Sequence, residues 1–221
     1  MAPELVIFDC DGVLVDTEGI SNAVMSACLA DEGFHLSADA CRVRFVGRTM
    51  EAVQAAVEAE LGRPLSAGWP AQVRTETEAA FDRGVAPVPG IEAAIRSVIE
   101  AGTRYCVASS GKFSKMRKSL GQAGLLHHFE DVLFSAEQVG RGKPAPDLFL
   151  FAAERMGVAP AACVVIEDSV PGVQAGFAAG MEVLAYAGDP MSVRSGLVDT
   201  GARAFYDMAK LPELLGLQEM R

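Results

Sequence analysis

The stretch LVIFDCDG at Leu5–Gly12 joins a continuous apolar run to two aspartates separated by one residue. Such a run is typical of a strand that is buried on both faces of a parallel sheet. Side chains alternate along an extended segment, so Asp9 and Asp11 can share a site while Cys10 points into the protein. Gly12 allows a sharp turn directly after the pair. The stretch therefore predicts a first strand with two carboxylates at its carboxyl end.

Strand and helix patterns alternate along the second part of the chain, from residue 91 onward. Short apolar runs predict strands, and segments with apolar residues three and four apart predict the helices between them. The predicted strands are Tyr105–Ala108, Val132–Phe134, Cys163–Ile166 and Val183–Tyr186. This alternation indicates an α/β fold, a Rossmann-like parallel sheet core with helices on both faces.

Residues 17–85 have a different sequence pattern, in which the apolar residues have helical spacing and no strand pattern occurs. Met50 and Val53, for example, begin a series of apolar residues on one helical face. We therefore expect an inserted all-helical unit at 17–85, which divides an α/β core of residues 1–16 and 86–221.

Polar residues follow several of the predicted strands. They are Asp9 and Asp11, then Ser109, Ser110 and Gly111, then Lys143 in a loop, and finally Glu167 and Asp168. The carboxyl ends of parallel strands meet at one edge of a sheet, where ligands bind, so we expect these residues to lie close together. Crowded carboxylates repel one another, and a divalent cation with all-oxygen ligands, Mg²⁺, neutralises them most simply.

A metal ion, a hydroxyl group and a lysine around one carboxylate are the components that phosphoryl transfer requires. Lys143 and Ser109 are the expected contacts for the phosphoryl oxygens. An aspartate can attack phosphorus and form an aspartyl-phosphate, which divides one difficult step into two easier ones. A second carboxyl two residues further on can protonate the leaving group and then activate water.

Four segments together resemble the motifs of the haloacid dehalogenase superfamily, in the order and spacing of that family. They are FDCDGVLVDTE at Phe8–Glu18, VASSG at Val107–Gly111, GKPAPDLF at Gly142–Phe149 and VVIEDSVPG at Val164–Gly172. A helical insert after the first motif resembles the subgroup with beta-phosphoglucomutase-like enzymes and sugar-phosphate phosphatases, including 6-phosphogluconate phosphatase.

The resemblance implies a role for each matching residue. It makes Asp9 the nucleophile and Asp11 the general acid and base. It places Mg²⁺ on the Asp9 carboxylate, the Asp11 backbone carbonyl and Asp168, with Glu167 bound directly or through water. Lys143 would bridge the phosphate and the nucleophile. Ser109 would bind phosphate, with Ser110 as the neighbouring alternative, and Ser109 would otherwise only cap the following helix.

The resemblance also implies that the insert is a cap, which closes over the site and excludes water. Its hinges are expected near Val15–Glu18 and Arg83–Val88. The loop Val46–Thr49 is similar to the substrate-specificity loop of the family. Arg48 in that loop is a candidate substrate contact, and an ordinary surface arginine is the equal alternative.

The expected function is Mg²⁺-dependent hydrolysis of a small phosphorylated metabolite, a sugar phosphate, through an aspartyl-phosphate. The alternative is a phosphosugar mutase similar to beta-phosphoglucomutase. The mutase step relies on a histidine shortly after the first motif and an arginine after the cap glycine. The corresponding positions here are Ser21 and Met50, which favours the phosphatase.

A phospho-accepting receiver module also combines strand-end acids, a serine or threonine, a lysine and Mg²⁺. Receiver modules place the acidic pair on the first strand and the accepting aspartate on a later one, within a much shorter chain that has no helical cap. The reverse order in this chain favours an enzyme.

The composition excludes several other classes of function. Lysine and arginine number 19 against 29 acidic residues, and a net charge of −10 disfavours nucleic acid and anionic membranes as partners. The one basic cluster, at residues 112–118, is expected to be a solvated helix face. Five scattered cysteines and the lack of a signal or membrane segment predict a reduced, cytoplasmic protein. We expect a monomer, since the cap must move.

Overall fold

The computed structural model describes residues 2–45, 48, 50–189 and 196–217. The chain divides into two compact units, an α/β unit within residues 1–16 and 86–221 and a helical unit of residues 17–85. In the described part of the chain, no helix has the length and apolarity needed to cross a membrane.

The α/β unit is built on a six-stranded sheet in which every neighbouring pair of strands is parallel. The strands of the unit are β1 (Leu5–Phe8), β2 (Val15–Asp16), β3 (Ala86–Pro87), β4 (Arg104–Ser109), β5 (Leu133–Ser135), β6 (Cys163–Glu167), β7 (Glu182–Tyr186) and β8 (Arg203–Phe205). The order in the sheet is β5-β4-β1-β6-β7-β8. The predicted α/β fold with a parallel sheet is confirmed.

Strand β1 lies between β4 and β6 and is completely buried, which explains its uninterrupted apolar sequence. Phe8 at its end is in register with Val107 of β4 and with Ile166 of β6. The carboxyl ends of these three strands therefore lie side by side. This register brings the residues that follow Phe8, Val107 and Ile166 to one edge of the sheet.

Helices follow the strands of the α/β unit, and they are also the regular elements in the described residues of the other unit. The helical unit contains α1 (Glu18–Asp31), α2 (Ala38–Phe45), α3 (Met50–Leu61) and α4 (Trp69–Phe81). The α/β unit contains α5 (Ile91–Glu100), α6 (Phe113–Gln122), α7 (Leu126–Phe129), α8 (Asp147–Met156), α9 (Val170–Ala178) and α10 (Leu211–Leu214). Trp69, Val53 and Val57 belong to the apolar core of the helical unit.

The structure also contains elements that the sequence patterns do not predict. Strands β2 and β3 form a separate antiparallel pair where hinges are expected, and the Val88 N–H donates to the Leu14 carbonyl at 3.0 Å beside it. Two-residue strands are too short to show periodicity, and one of them contains Pro87. Strand β8 and helix α2 are likewise missed, because their sequences, RAF and ADACRVRF, carry little apolar periodicity.

Candidate active site

Asp9 directly follows β1 and is buried, with 7% of its surface exposed. Its backbone N–H donates to the carbonyl of Ile166 at 2.9 Å, which continues the pairing with β6 by one residue. The sheet therefore holds the backbone of Asp9 in place. Because few solvent molecules reach it, its carboxylate depends on neighbouring protein groups for its solvation.

Lys143 supplies the main contact to Asp9. Its Nζ lies 2.5 Å from Oδ1 of Asp9 and 2.7 Å from Oε1 of Glu167, and it also donates to the carbonyl of Ala108 at 3.1 Å. Only 5% of the Lys143 side chain is exposed. The ammonium group has three protons, and these three bonds direct all of them at the carboxyl ends of β1, β4 and β6. Lys143 thus ties the three strand ends together.

Burial and charge act in opposite directions on this pair. Burial raises the pKa of the Asp9 carboxyl to about 7, although the nearby Lys143 ammonium works to lower it. Burial lowers the pKa of Lys143, but the Asp9 and Glu167 carboxylates outweigh this and shift it upward overall. A site with two buried carboxylates and one ammonium therefore favours the binding of further positive charge beside Asp9.

Glu167 has a structural role that the sequence did not reveal. Its Oε2 accepts hydrogen bonds from the backbone N–H groups of Asp168 and Ser169, each at 2.9 Å, and from the Ser169 hydroxyl at 2.8 Å. A β-carbon on Gly172 would collide with this carboxyl group, so the glycine makes room for it. Glu167 holds Lys143 with one oxygen and the turn into α9 with the other, and its contact with a metal ion, direct or through water, stays a prediction.

The turn after β1 brings Asp168 towards the aspartate pair. Gly12 has a φ of +82°, and its N–H donates to the carbonyl of Val15 at 2.8 Å. A β-carbon on Gly12 would collide with the Asp168 carboxylate, so that carboxylate packs against the backbone of the turn. Cys10, between the two aspartates, is 1% exposed, which confirms that it points into the protein.

The oxygen-bearing groups expected to hold a magnesium ion are of the right chemical type. The group comprises the carboxylates of Asp9 and Asp168 and the backbone carbonyl of Asp11, and Mg²⁺ prefers such hard oxygen ligands. Within the described ranges, no three histidine, cysteine, aspartate or glutamate side chains already form a metal cluster. Lysine side chains neutralise part of the acidic charge in this arrangement, through Lys143 on Asp9 and Lys115 on Asp11.

Lys115 has a side chain that is 41% exposed, as expected for a solvated helix face, but it also contacts Asp11, which the sequence pattern did not predict. It lies in the first turn of α6, and its Nζ is 2.7 Å from Oδ2 of Asp11. A basic residue in a helix next to a strand-end loop is a weak sequence signal. Its partner is more than one hundred residues away in the chain, so only the folded sheet reveals the pairing.

The two serines after β4 have different environments. Ser109 is buried, with 2% of its surface exposed, whereas Ser110 is exposed. The Ser109 hydroxyl accepts a bond from the Gly111 N–H at 3.1 Å, and its own proton can be directed at a phosphoryl oxygen. The hydroxyl of Ser135, the neighbour of Ser109 in β5, donates to the Gly111 carbonyl at 2.7 Å. This bonded loop favours Ser109 over Ser110 as the phosphate contact.

Arg48 belongs to the helical unit. Its side chain is exposed, and its backbone N–H donates to the carbonyl of Phe45 at 3.0 Å. The other members of the expected specificity loop, Val46, Gly47 and Thr49, lie outside the described residues. The contact between Arg48 and a substrate therefore stays a prediction.

Replacement of Gly12 by alanine tests the packing of Asp168 against the turn. Gly12→Ala should lose stability by about 1–2 kcal/mol from its positive φ and should also displace Asp168, which lowers activity. Gly33→Ala is the matched control, because Gly33 has a φ of +76° and nothing lies within 4 Å of a β-carbon there. Thermal unfolding and phosphate release should show similar destabilisation of both variants and loss of activity only at Gly12. Equal activity of the two variants would contradict the packing of a functional Asp168 carboxylate against the turn at Gly12.

Comparison with known proteins identifies the family. The family model for haloacid dehalogenase-like hydrolases matches residues 3–180. The 6-phosphogluconate phosphatase of Escherichia coli is 34% identical over 212 residues, which cover 96% of this chain and 94% of that protein. The fructose-1-phosphate phosphatase of the same organism is 34% identical over 188 residues, covering 81% of this chain and 94% of that protein.

A solved structure leads to the same assignment. The crystal structure of a haloacid dehalogenase family hydrolase from Deinococcus radiodurans, with bound phosphate and sodium, has a TM-score of 0.88 and 33% identity over 99% of both chains. The resemblance read from the four motifs is thereby confirmed, and the chain belongs to the haloacid dehalogenase-like hydrolase family.

Proposed function

We propose that this hydrolase removes the phosphoryl group from a small phosphorylated metabolite, a sugar phosphate, with Mg²⁺ as cofactor. The observation that carries the proposal is the buried Lys143 ammonium group, which contacts both Asp9 and Glu167 where three strand ends meet. A buried carboxylate with an ammonium group on one side and a serine hydroxyl at the next strand end suits attack on a phosphoryl group. Relatives named as phosphatases of 6-phosphogluconate and fructose 1-phosphate support a sugar phosphate as substrate.

In the first step, an Asp9 oxygen attacks phosphorus, and the bond between phosphorus and the substrate oxygen breaks. Asp11, two residues further on, gives a proton to the departing alcohol. The Ser109 hydroxyl binds a phosphoryl oxygen, and the Lys143 ammonium group beside Asp9 stabilises the negative charge that spreads over the phosphoryl oxygens during transfer. The product of this step is an aspartyl-phosphate at Asp9.

In the second step, Asp11 takes a proton from a water molecule as the water oxygen attacks phosphorus. The bond between phosphorus and the Asp9 oxygen breaks, and inorganic phosphate leaves. Asp9 and Asp11 are then restored to their starting forms. The two aspartates thus divide the nucleophilic and the proton-transfer work between them.

Mg²⁺ would be held by the carboxylates of Asp9 and Asp168 and by the Asp11 backbone carbonyl, with Glu167 in contact directly or through water. When bound, it supplies positive charge that neutralises the phosphoryl oxygens and keeps Asp9 ionised. We further propose that the helical unit acts as a cap that excludes water and that Arg48 contributes to substrate recognition.

Release of inorganic phosphate tests this function. The substrates are 6-phosphogluconate, hexose 6-phosphates, fructose 1-phosphate, beta-glucose 1-phosphate, phosphoglycolate and nucleoside monophosphates, each with Mg²⁺ and with excess chelator. We expect release from at least one sugar phosphate, and we expect the chelator to abolish it. Isomerisation of beta-glucose 1-phosphate without phosphate release would indicate a mutase, and a long-lived phosphoprotein without turnover would indicate a receiver. Either result would overturn the proposal.

A further inference from the structure

The ion pair between Lys115 and Asp11 has no part in the chemistry proposed above. It joins the first turn of α6 to the loop after β1, with Nζ of Lys115 2.7 Å from Oδ2 of Asp11. The side chains are 41% and 26% exposed, respectively. An ion pair this exposed contributes little to folding stability, because water screens it. The main effect of the ion pair is therefore local, on the Asp11 carboxylate.

The path of the Lys115 side chain places it at the edge of the phosphate site. Its Cδ lies 3.7 Å from where a β-carbon on Gly111 would be, and the Ser109 hydroxyl lies 3.4 Å from the same point. The aliphatic part of Lys115 therefore passes over the loop that carries Ser109. Only the ammonium group reaches beyond this loop, to Asp11.

The base of the Lys115 side chain is well anchored. The Phe113 N–H at the start of α6 donates to the Glu137 carboxylate at 3.2 Å. Met116 and Ser119, on the inner face of the same helix, are 1% and 2% exposed. Lys115 therefore extends from a packed helix to the partly exposed Asp11 carboxylate. This contact can limit the orientations that the carboxylate adopts.

We propose that Lys115 is a positioning residue for Asp11, and that its ammonium group holds one carboxyl oxygen so that the group points at the substrate's leaving oxygen. This inference rests on the proposed function. In the first step, as the bond between phosphorus and the leaving oxygen breaks, the proton of Asp11 passes to that oxygen. Lys115 keeps its own protons throughout. Proton transfer requires close alignment, so an Asp11 side chain that turns freely transfers its proton less efficiently.

Two aryl phosphates of similar shape separate this role from phosphate binding. Nitrophenolate leaves readily without a proton, whereas the phenolate of phenyl phosphate is a poorer leaving group and benefits from an acid. The ratio kcat/KM covers events up to departure of the leaving group. For Lys115→Met, we expect kcat/KM to fall on the order of tenfold with phenyl phosphate and about twofold with p-nitrophenyl phosphate, because general acid catalysis contributes ~10²–10⁴-fold in total.

A double-mutant cycle adds a readout that a purely structural role would not affect. In an Asp11→Asn background, Lys115→Met should cause little further loss with phenyl phosphate, because both changes remove one function. Lys115→Arg should recover part of the loss. Lys118→Met, on an exposed position of the same helix, is the matched control and should behave as wild type.

Several outcomes would overturn the inference. An equal loss with both aryl phosphates would indicate phosphate binding or a folding defect, and a loss that persists in Asp11→Asn would show that Lys115 acts independently of Asp11. Unchanged kinetics of Lys115→Met would show that the ion pair has no role. If the wild-type protein hydrolysed neither aryl phosphate nor any sugar phosphate, the proposed function itself would fail, which is a separate result.

Discussion

Replacement of Asp9 by asparagine is expected to reduce Mg²⁺-dependent phosphate release on the order of 10⁴-fold or more, since it removes the nucleophile. Asparagine has nearly the same shape and can still meet Lys143, so the variant should fold. Asp131→Asn, a change at an exposed turn, is the matched control and should keep full activity. The measurement is kcat for the best substrate of the panel. Phosphate release by Asp9→Asn at more than about one tenth of the wild-type rate would contradict the assignment of Asp9.

The stability of Asp9→Asn provides a second check. Folding raises the pKa of Asp9 from 3.8 to about 7, so the folded state holds this proton more tightly than the unfolded chain does. The contribution of Asp9 to stability is therefore fully present below about pH 4 and is lost as pH rises through about pH 7. Asparagine does not titrate, so Asp9→Asn does not lose stability in this way as the pH rises. We therefore expect the melting temperature of the variant, relative to that of the wild type, to be higher at neutral pH than at about pH 4. The opposite trend would show that the ionised form is the one favoured by the fold.

Replacement of Lys143 by methionine is expected to affect both activity and stability. The change leaves Asp9 and Glu167 as buried carboxylates without their shared ammonium group, which costs about 3–5 kcal/mol. It also removes the positive charge that stabilises the phosphoryl oxygens, so activity should fall on the order of 10³-fold. The raised pKa of Lys143 means that its contribution to stability is fully present below about pH 10.5 and is lost only as pH rises past the folded pKa.

The pH dependence of Lys143→Met follows from the remaining carboxylates. Lys143 lowers the pKa of Asp9, so without it Asp9 takes up a proton at a higher pH than in the wild type, and the uncompensated charge decreases as the pH falls. The stability deficit, measured by urea unfolding, should therefore be larger at about pH 8 than at about pH 5. Adding Glu167→Gln should recover stability without recovering activity. Lys210→Met breaks an exposed ion pair with Glu213 and should cost at most about 1 kcal/mol. A similar cost at Lys143 would contradict the buried arrangement.

The strands and helices that were predicted correctly have one property in common. Each has a clear apolar pattern within its own sequence. The buried run before Asp9 could only be an inner parallel strand, and α8 begins and ends where its periodicity indicates. Strands β2 and β3 have no such pattern and were missed. They are stabilised by pairing with each other, although they lie far apart in the chain. Local sequence therefore predicts the strands of the sheet that have an apolar pattern, and misses the edge strand β8 and the pair β2 and β3.

The same limit applies to the site. Because parallel strands end together, the closeness of Asp9, Lys143 and Glu167 could be predicted. The contact between Lys115 and Asp11 could not, since it depends on how α6 packs after its loop. The hydrogen bonds of Glu167 to Lys143 and to its own turn also depend on backbone geometry, so the sequence could not predict them.

The central claim is that Asp9 receives the phosphoryl group, and the variant Asp11→Asn tests it most directly. With p-nitrophenyl phosphate, the first step needs little help from an acid, whereas the second step lacks its base. Rapid mixing with Mg²⁺ should release one nitrophenolate per protein molecule in a burst, and peptide mass spectrometry after quenching should find the phosphoryl group on Asp9. Nitrophenolate release with no phosphoryl group on the protein, or with the group on another residue, would contradict the account.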